Sequence, residues 1–143
     1  MGSKMPRERP DIIISSLDSW RIYRLLDEMP ADAFAGRDAL MYEISRGRIV
    51  GPREIPPHVV TMNSVLRVTL LAPKRRTLEL TLVYPEDADE EAGRISIFTA
   101  LGSALIGLSE GAEIDWPRPE GGMMTLRVEE ILFQPERAGQ FQI

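Results

Sequence analysis

The chain has 143 residues, no cysteine, a single histidine and a formal net charge of −5. That length fits one domain, or one domain with a small appendage, and lets the chain bury about two-thirds of its unfolded surface without disulfides or a structural metal. The missing cysteines exclude disulfides, thiol catalysis and cysteine-based zinc sites. The acidic balance excludes a protein that grips nucleic acid with its whole surface, because that needs clustered cations.

Residues 1–4 read as a non-native remnant ahead of a native start at Met5, and the charged stretch that follows has no apolar signal core. The longest apolar run, residues 98–108, is too short to span a bilayer and is interrupted by glycine and serine. A cytoplasmic protein without membrane contact is therefore expected. Three β-branched residues, Ile12, Ile13 and Ile14, suit a short strand or a staple on the body. Ser16 or Asp18 then caps a helix over residues 17–29. Its apolar positions Ile22, Leu25, Leu26 and Met29 share one face, with Trp20 and Tyr23 beside them, and Pro30 ends it. A second helix runs to Arg46 with Leu40, Met41 and Ile44 inward. Two helices joined by a short turn form an antiparallel hairpin whose arms reach only ~18 Å at 1.5 Å rise per residue. Gly47 and Gly51-Pro52 mark a linker, which sets two units: an arm and short coiled coil over residues 1–52, and a body over residues 53–143.

From there the apolar period is two. Leu66, Val68 and Leu70 alternate with Arg67 and Thr69, and Leu78, Leu80, Leu82 and Tyr84 alternate with Glu79 and Thr81, which predicts two half-buried antiparallel strands. The intervening Lys74, Arg75 and Arg76 are the only dense basic cluster. Between two strands they read as a solvated hairpin tip rather than a phosphate clamp. Residues 86–93, EDADEEAG, resemble a calcium loop only superficially, since they lack its ligand spacing and central glycine.

Residues 95–116 organise the rest. Ile95 and Ile97 alternate as in a strand. Leu101, Leu105 and Leu108 then fall on one helical face, Gly107 and Gly111 close the helix, and Ile114 and Trp116 resume an extended pattern. A helix of about two turns is unstable alone, so it must plug the concave face of a sheet. Residues 117–122 form a turn. A last strand over residues 125–133 places Leu126, Val128 and either Ile131 or Phe133 inward, and a polar tail follows.

Catalytic signals are absent. His58 has no second histidine for a metal site and no serine in a nucleophile-elbow context, and Gly102, Gly107 and Gly111 match neither a P-loop nor a dinucleotide fingerprint. Neither enzymatic activity nor a cofactor or metal is expected.

Four blocks carry a resemblance. His58-Val59-Val60-Thr61-Met62-Asn63-Ser64, Leu82-Val83-Tyr84-Pro85, the LGSALIGLSEG run within residues 95–111, and Gln134-Pro135-Glu136 with Gly139 resemble, in order, the motifs of the Rnk family, the regulators of nucleoside diphosphate kinase. The third block is also similar, more distantly, to the C-terminal domain of the GreA/GreB transcript-cleavage factors. The resemblance implies an α+β protein, a short antiparallel coiled coil followed by an FKBP-like antiparallel sheet with one short helix. It further implies docking on bacterial RNA polymerase near the secondary channel, competition with Gre-type factors, and DNA contact only indirectly through polymerase. The positions aligned with the Gre polymerase contact are Phe98, Thr99, Ala100 and Leu101; Ala100 stands where the Gre pattern has proline and Thr99 where it has serine. In Gre factors acidic residues at the tip of a long coiled coil help hold a catalytic magnesium ion. The hairpin turn here carries Asp27, Glu28, Asp32 and Asp38, which do not reproduce that tip motif, so no cleavage chemistry is carried over. Two other functions follow from the same resemblance: direct control of nucleoside diphosphate kinase, and prolyl isomerisation, which would need Trp116, Tyr84, Phe98 and Phe133 to converge.

Overall fold

A computed structural model describes residues 9–141; the remnant and the start at Met5 lie outside them. Strand β1 (Ile13–Ser15) leads directly into helix α1 (Ser16–Glu28), and helix α2 (Arg37–Arg46) leads into strand β2 (Arg48–Val50). Ser15 caps α1 by accepting a hydrogen bond from the Asp18 amide at 3.0 Å, so neither Ser16 nor Asp18 is the cap. Pro30 forces Met29 into an extended conformation (ψ 153°), which stops the helix. Residues 47–51, expected to be a linker, instead supply β2. It pairs in parallel with β1, from Ile13 opposite Arg48 to Ser15 opposite Val50.

The main sheet contains β3 (Val65–Ala72), β4 (Arg76–Val83), β5 (Arg94–Ser96), β6 (Glu113–Pro117) and β7 (Met123–Phe133), in the order β5-β4-β3-β7-β6. The β3–β4 and β6–β7 hairpins are antiparallel, as their alternation predicts. The sheet is nevertheless mixed rather than antiparallel throughout, because β5 joins β4 in parallel. Along β7 the inward side chains are Met124, Leu126, Val128 and then Ile131; a register shift opposite Arg67 and Val68 breaks the strict alternation and selects Ile131 over Phe133.

The chain leaves one edge of the sheet at β5 and returns at the other edge as β6. Helix α3 (Ala100–Leu105) lies within this crossing, and its Ala104 and Leu105 enter the same core as Leu66, Leu82 and Val128. Ile22 and Leu26 of α1 and Leu40 and Ile44 of α2 belong to that core as well, so one continuous hydrophobic cluster runs across residue 53. Gly107 follows α3 with φ +80°, a left-handed conformation that favours glycine. A side chain there would meet Ile12 Cβ at 2.8 Å, so the site requires glycine both for its backbone conformation and for close packing against the strand that opens the chain. Among the described residues, no helix is long and apolar enough to cross a membrane.

Candidate functional site

The β5–α3 junction is built from short polar side chains bonded to its own backbone. Ser96 Oγ accepts from the Phe98 amide at 3.0 Å. Thr99 donates its hydroxyl to the Ser96 carbonyl at 2.7 Å and accepts from the Gly102 amide at 3.0 Å, so it caps α3; Ser103 donates to the Ile97 carbonyl at 2.8 Å. Gly102 is obligatory here: a Cβ would lie 2.1 Å from the Ser96 carbonyl oxygen. Of the four positions aligned with a polymerase contact, all are half-buried. Phe98 stacks on Phe34, with ring centroids 5.4 Å apart and planes at 29°. Its ring is therefore partly covered by Phe34, which lies on the turn between α1 and α2.

That stack also ties the turn between the helices to the body. The acidic residues near the turn, Asp27, Glu28, Asp32 and Asp38, are all exposed. Glu28 accepts from Arg24 Nε at 3.2 Å, and the nearly naked Asp38 lies 3.7 Å from Arg37. The described residues contain no group of three or more His, Cys, Asp or Glu side chains placed to hold a metal ion, at this turn or in the loop after β4. In that loop Asp89 instead caps a short helical turn and pairs with Arg94 at 3.4 Å.

A different carboxylate occupies the centre of the molecule. Asp18, in the first turn of α1, is only 3% exposed. One of its oxygens accepts from the Met62 amide at 3.1 Å and the other from the Tyr84 hydroxyl at 3.3 Å. Burial pushes its pKa up to about 7. The bond from Met62 resists that shift, the nearby Glu136 carboxylate adds to it, and Tyr84 and Arg21 oppose it. Burial, with the Asp18 charge beside it, also holds the Tyr84 hydroxyl above its ordinary pKa. Thr61, next to Met62, donates to Glu136 at 2.7 Å and shares a 2.9 Å hydrogen bond with Ser64. Gln134 donates to the carbonyls of Pro56 and Val59 at 2.8 and 2.7 Å. Three of the four sequence blocks singled out above thus meet in one polar junction that joins α1, the 56–64 loop, the end of β4 and the C-terminal turn. Sequence reasoning placed these blocks but missed Asp18. A carboxylate in a first helical turn is an ordinary feature, and nothing local marks it as buried.

Beside the junction, α1 and the residues after β4 enclose an open groove of about 680 Å³ lined by Trp20, Arg21, Arg24, Asn63, Tyr84 and Pro85, among others. Trp20 is 58% exposed with the Arg24 guanidinium 5.3 Å from its ring centre. Asn63 holds φ 67°, a conformation asparagine tolerates better than most residues. Three of the four aromatics that prolyl isomerisation would require are engaged separately. Trp116 lies beneath Arg9, with the guanidinium 4.8 Å from the ring centre; Tyr84 serves Asp18; and Phe98 serves Phe34.

Comparison with known proteins agrees with this construction. Residues 55–133 match the model of the GreA/GreB transcription elongation factor C-terminal family, and residues 10–50 match the Rnk N-terminus. The regulator of nucleoside diphosphate kinase of Escherichia coli (strain K12) is 39% identical over 136 residues, covering 93% of this chain and 97% of that protein. The transcription elongation factor GreA of Chlorobium phaeovibrioides is 33% identical over 79 residues, 55% of this chain and half (50%) of its own length. Among solved structures, a prokaryotic GreA/GreB transcription elongation factor from Nitrosomonas europaea superposes with a TM-score of 0.68 at 46% identity, covering 87% of this chain and 100% of that one. With an Rnk N-terminal segment joined to a GreA/GreB C-terminal domain, and the likeness running over nearly its whole length, the chain belongs to the Rnk family.

Proposed function

We propose that this protein is a transcription regulator that binds bacterial RNA polymerase near the secondary channel and has no transcript-cleavage chemistry of its own. In this reading the two N-terminal helices form a short coiled coil, the sheet with α3 is an FKBP-like body, and the protein acts in the cytoplasm. The carrying observation is the hairpin. Its arms have 13 and 10 residues, about 20 and 15 Å at 1.5 Å rise per residue, and its turn is held to the body by the Phe34–Phe98 stack. Carboxylates on so short an arm stop far from where a deeply inserted hairpin would deliver them, and a metal–carboxylate bond needs approach to ~2 Å. Docking runs through the surface around α3. Ala100 and Leu101 offer small, half-buried apolar contacts there, and Phe98 and Thr99 hold that surface in shape. The protein therefore occupies the channel entrance and competes with Gre-type factors, and any DNA contact made by this docking is indirect.

Stalled elongation complexes test the reading. Added alone, the protein leaves transcripts intact; added with a Gre-type factor, it suppresses cleavage in proportion to its concentration. Shortened transcripts with this protein alone, abolished by Glu28→Ala or Asp32→Ala, would make it a cleavage factor. The name of the Escherichia coli relative supports a second reading, direct action on nucleoside diphosphate kinase. Affinity capture with purified polymerase and purified kinase offered together separates the two by which one is retained.

A further inference from the structure

The β3–β4 hairpin ends in Ala72, Pro73, Lys74, Arg75 and Arg76, with Leu70 opposite Arg76 as the last pair before the loop. All three cations are exposed. Nearly every other cation among the described residues is engaged. Arg9 and Arg46 bond Glu43, Arg67 bonds Glu130, Arg94 bonds Asp89, Arg127 bonds Glu113, and Arg53 covers Phe141. Only Arg48 shares with Lys74, Arg75 and Arg76 the lack of any side-chain hydrogen bond, ion pair or ring contact among the described residues. Three like charges side by side repel one another, and no ion pair among the described residues offsets that repulsion.

The surroundings keep the positive charge concentrated. The neighbouring turn, brought alongside by the pairing of Ala72 with Thr125, contributes Arg118 and Glu120, which form a 3.3 Å ion pair and add no net charge. The exposed carboxylates Glu86, Asp87, Asp89, Glu90 and Glu91 follow the opposite end of β4, ~25 Å away along an eight-residue strand. The chain is thus acidic overall but has one basic point, with acid at the far end of the same strand. Such a charge separation turns the basic tip towards a polyanion and the acidic loop away from it. The tip carries no aromatic or large apolar side chain, so it lacks the buried centre that a protein interface relies on. For the same reason it has no platform on which to stack a base. Charge is its only means of attraction.

We propose that Lys74, Arg75 and Arg76 form a direct nucleic-acid contact, gripping backbone phosphates without reading sequence. This revises the expectation of a merely solvated tip and goes beyond polymerase docking. Its deciding measurement, binding to a bare duplex, contains no polymerase, so absence of that binding leaves the docking reading untouched.

The experiment is fluorescence anisotropy of a labelled DNA duplex of arbitrary sequence, titrated with the full chain. Three phosphate contacts predict that affinity falls about forty-fold between about 50 and 200 mM salt. The variant K74Q/R75Q/R76Q should lose at least about tenfold in affinity at the lower salt and most of the salt dependence, whereas R48Q should bind like the parent. Since none of these side chains is bonded, the thermal midpoints should coincide. If the triple variant unfolds, R75Q alone should remove about one-third of the salt slope. Absence of binding by the parent at the lower salt, equal binding by parent and tip variant, or equal loss in R48Q would overturn the proposal. So would loss of retention by nucleic-acid-free polymerase in a tip variant whose parent ignores the duplex, which would assign the tip to an acidic protein surface.

Discussion

Two sets of carboxylates in this chain behave in opposite ways. Those around the turn between the helices, Asp27, Glu28, Asp32 and Asp38, lie in water; Glu28 pairs with the exposed Arg24, and Asp38 lies 3.7 Å from Arg37. Asp18 lies in a junction where both its oxygens accept hydrogen bonds, and its half-buried neighbour Glu136 accepts one from Thr61. Surface ion pairs are worth about 0–1 kcal/mol, whereas a buried carboxylate stripped of water costs several kcal/mol unless it is bonded or protonated. Three of the motif blocks that mark the family converge on the buried set and none on the exposed one. Those motifs therefore encode the frame that seats α1 on the sheet, and the exposed acids are free to vary without disturbing it.

The strongest way to break this contrast is at the frame itself. Gly107→Val combines the cost of a β-branched residue at φ +80° with a 2.8 Å approach to Ile12 Cβ, and should destabilise the protein by about 3 kcal/mol or more. Denaturant unfolding measures this, and an unchanged midpoint would mean that Ile12 and β1 do not pack on the body.

Next in size is the proton linkage of Asp18. Its folded pKa is raised to about 7 from the ordinary 3.8, so between those values the native state holds a proton that the unfolded state has released. Stability must then fall as pH rises from about 4 to about 7 and level off above it, with a contribution of about 2–4 kcal/mol from this group. Asp18→Asn should remove that slope, gaining on the parent as pH rises from about 5 to about 8. Parallel stability–pH profiles for the two proteins would place the carboxyl in water, like the acids of the turn.

A smaller effect tests whether the turn is attached. A double-mutant cycle of Phe34→Ala and Phe98→Ala should give a coupling of about 0.5–1.5 kcal/mol. Additive losses would detach the turn from α3 and restore a free-standing hairpin. For the same reason Phe98→Asp should lower stability as well as polymerase retention, and is a poor probe of docking on its own.

The least effect belongs to the exposed acids. Asp32→Ala and Asp38→Ala should each shift unfolding by less than about 0.5 kcal/mol. A larger loss in either would reveal a structural partner and remove the contrast.

What the residues by themselves determined were the local elements. The period of three to four in α1 and α2, the period of two in β3, β4 and β6, the stop at Pro30 and the left-handed Gly107 all depend on neighbours within a few positions, and each appears where its pattern places it. Tertiary structure alone decided the partners. A three-residue strand such as β5 has no pattern long enough to specify parallel pairing with β4, and β2 was hidden in a glycine-flanked stretch because its partner lies more than 30 residues earlier. Phe98 carries the same side chain whether bare or covered, and its half-burial comes from the core and from Phe34, 64 positions earlier. Asp18 looks like any acid in a first helical turn until the Met62 amide and the Tyr84 hydroxyl, 44 and 66 positions away, close around it. Burial is a property of what arrives from elsewhere in the chain, so the chemistry of a carboxylate, unlike the period of a helix, is fixed only when the fold is complete.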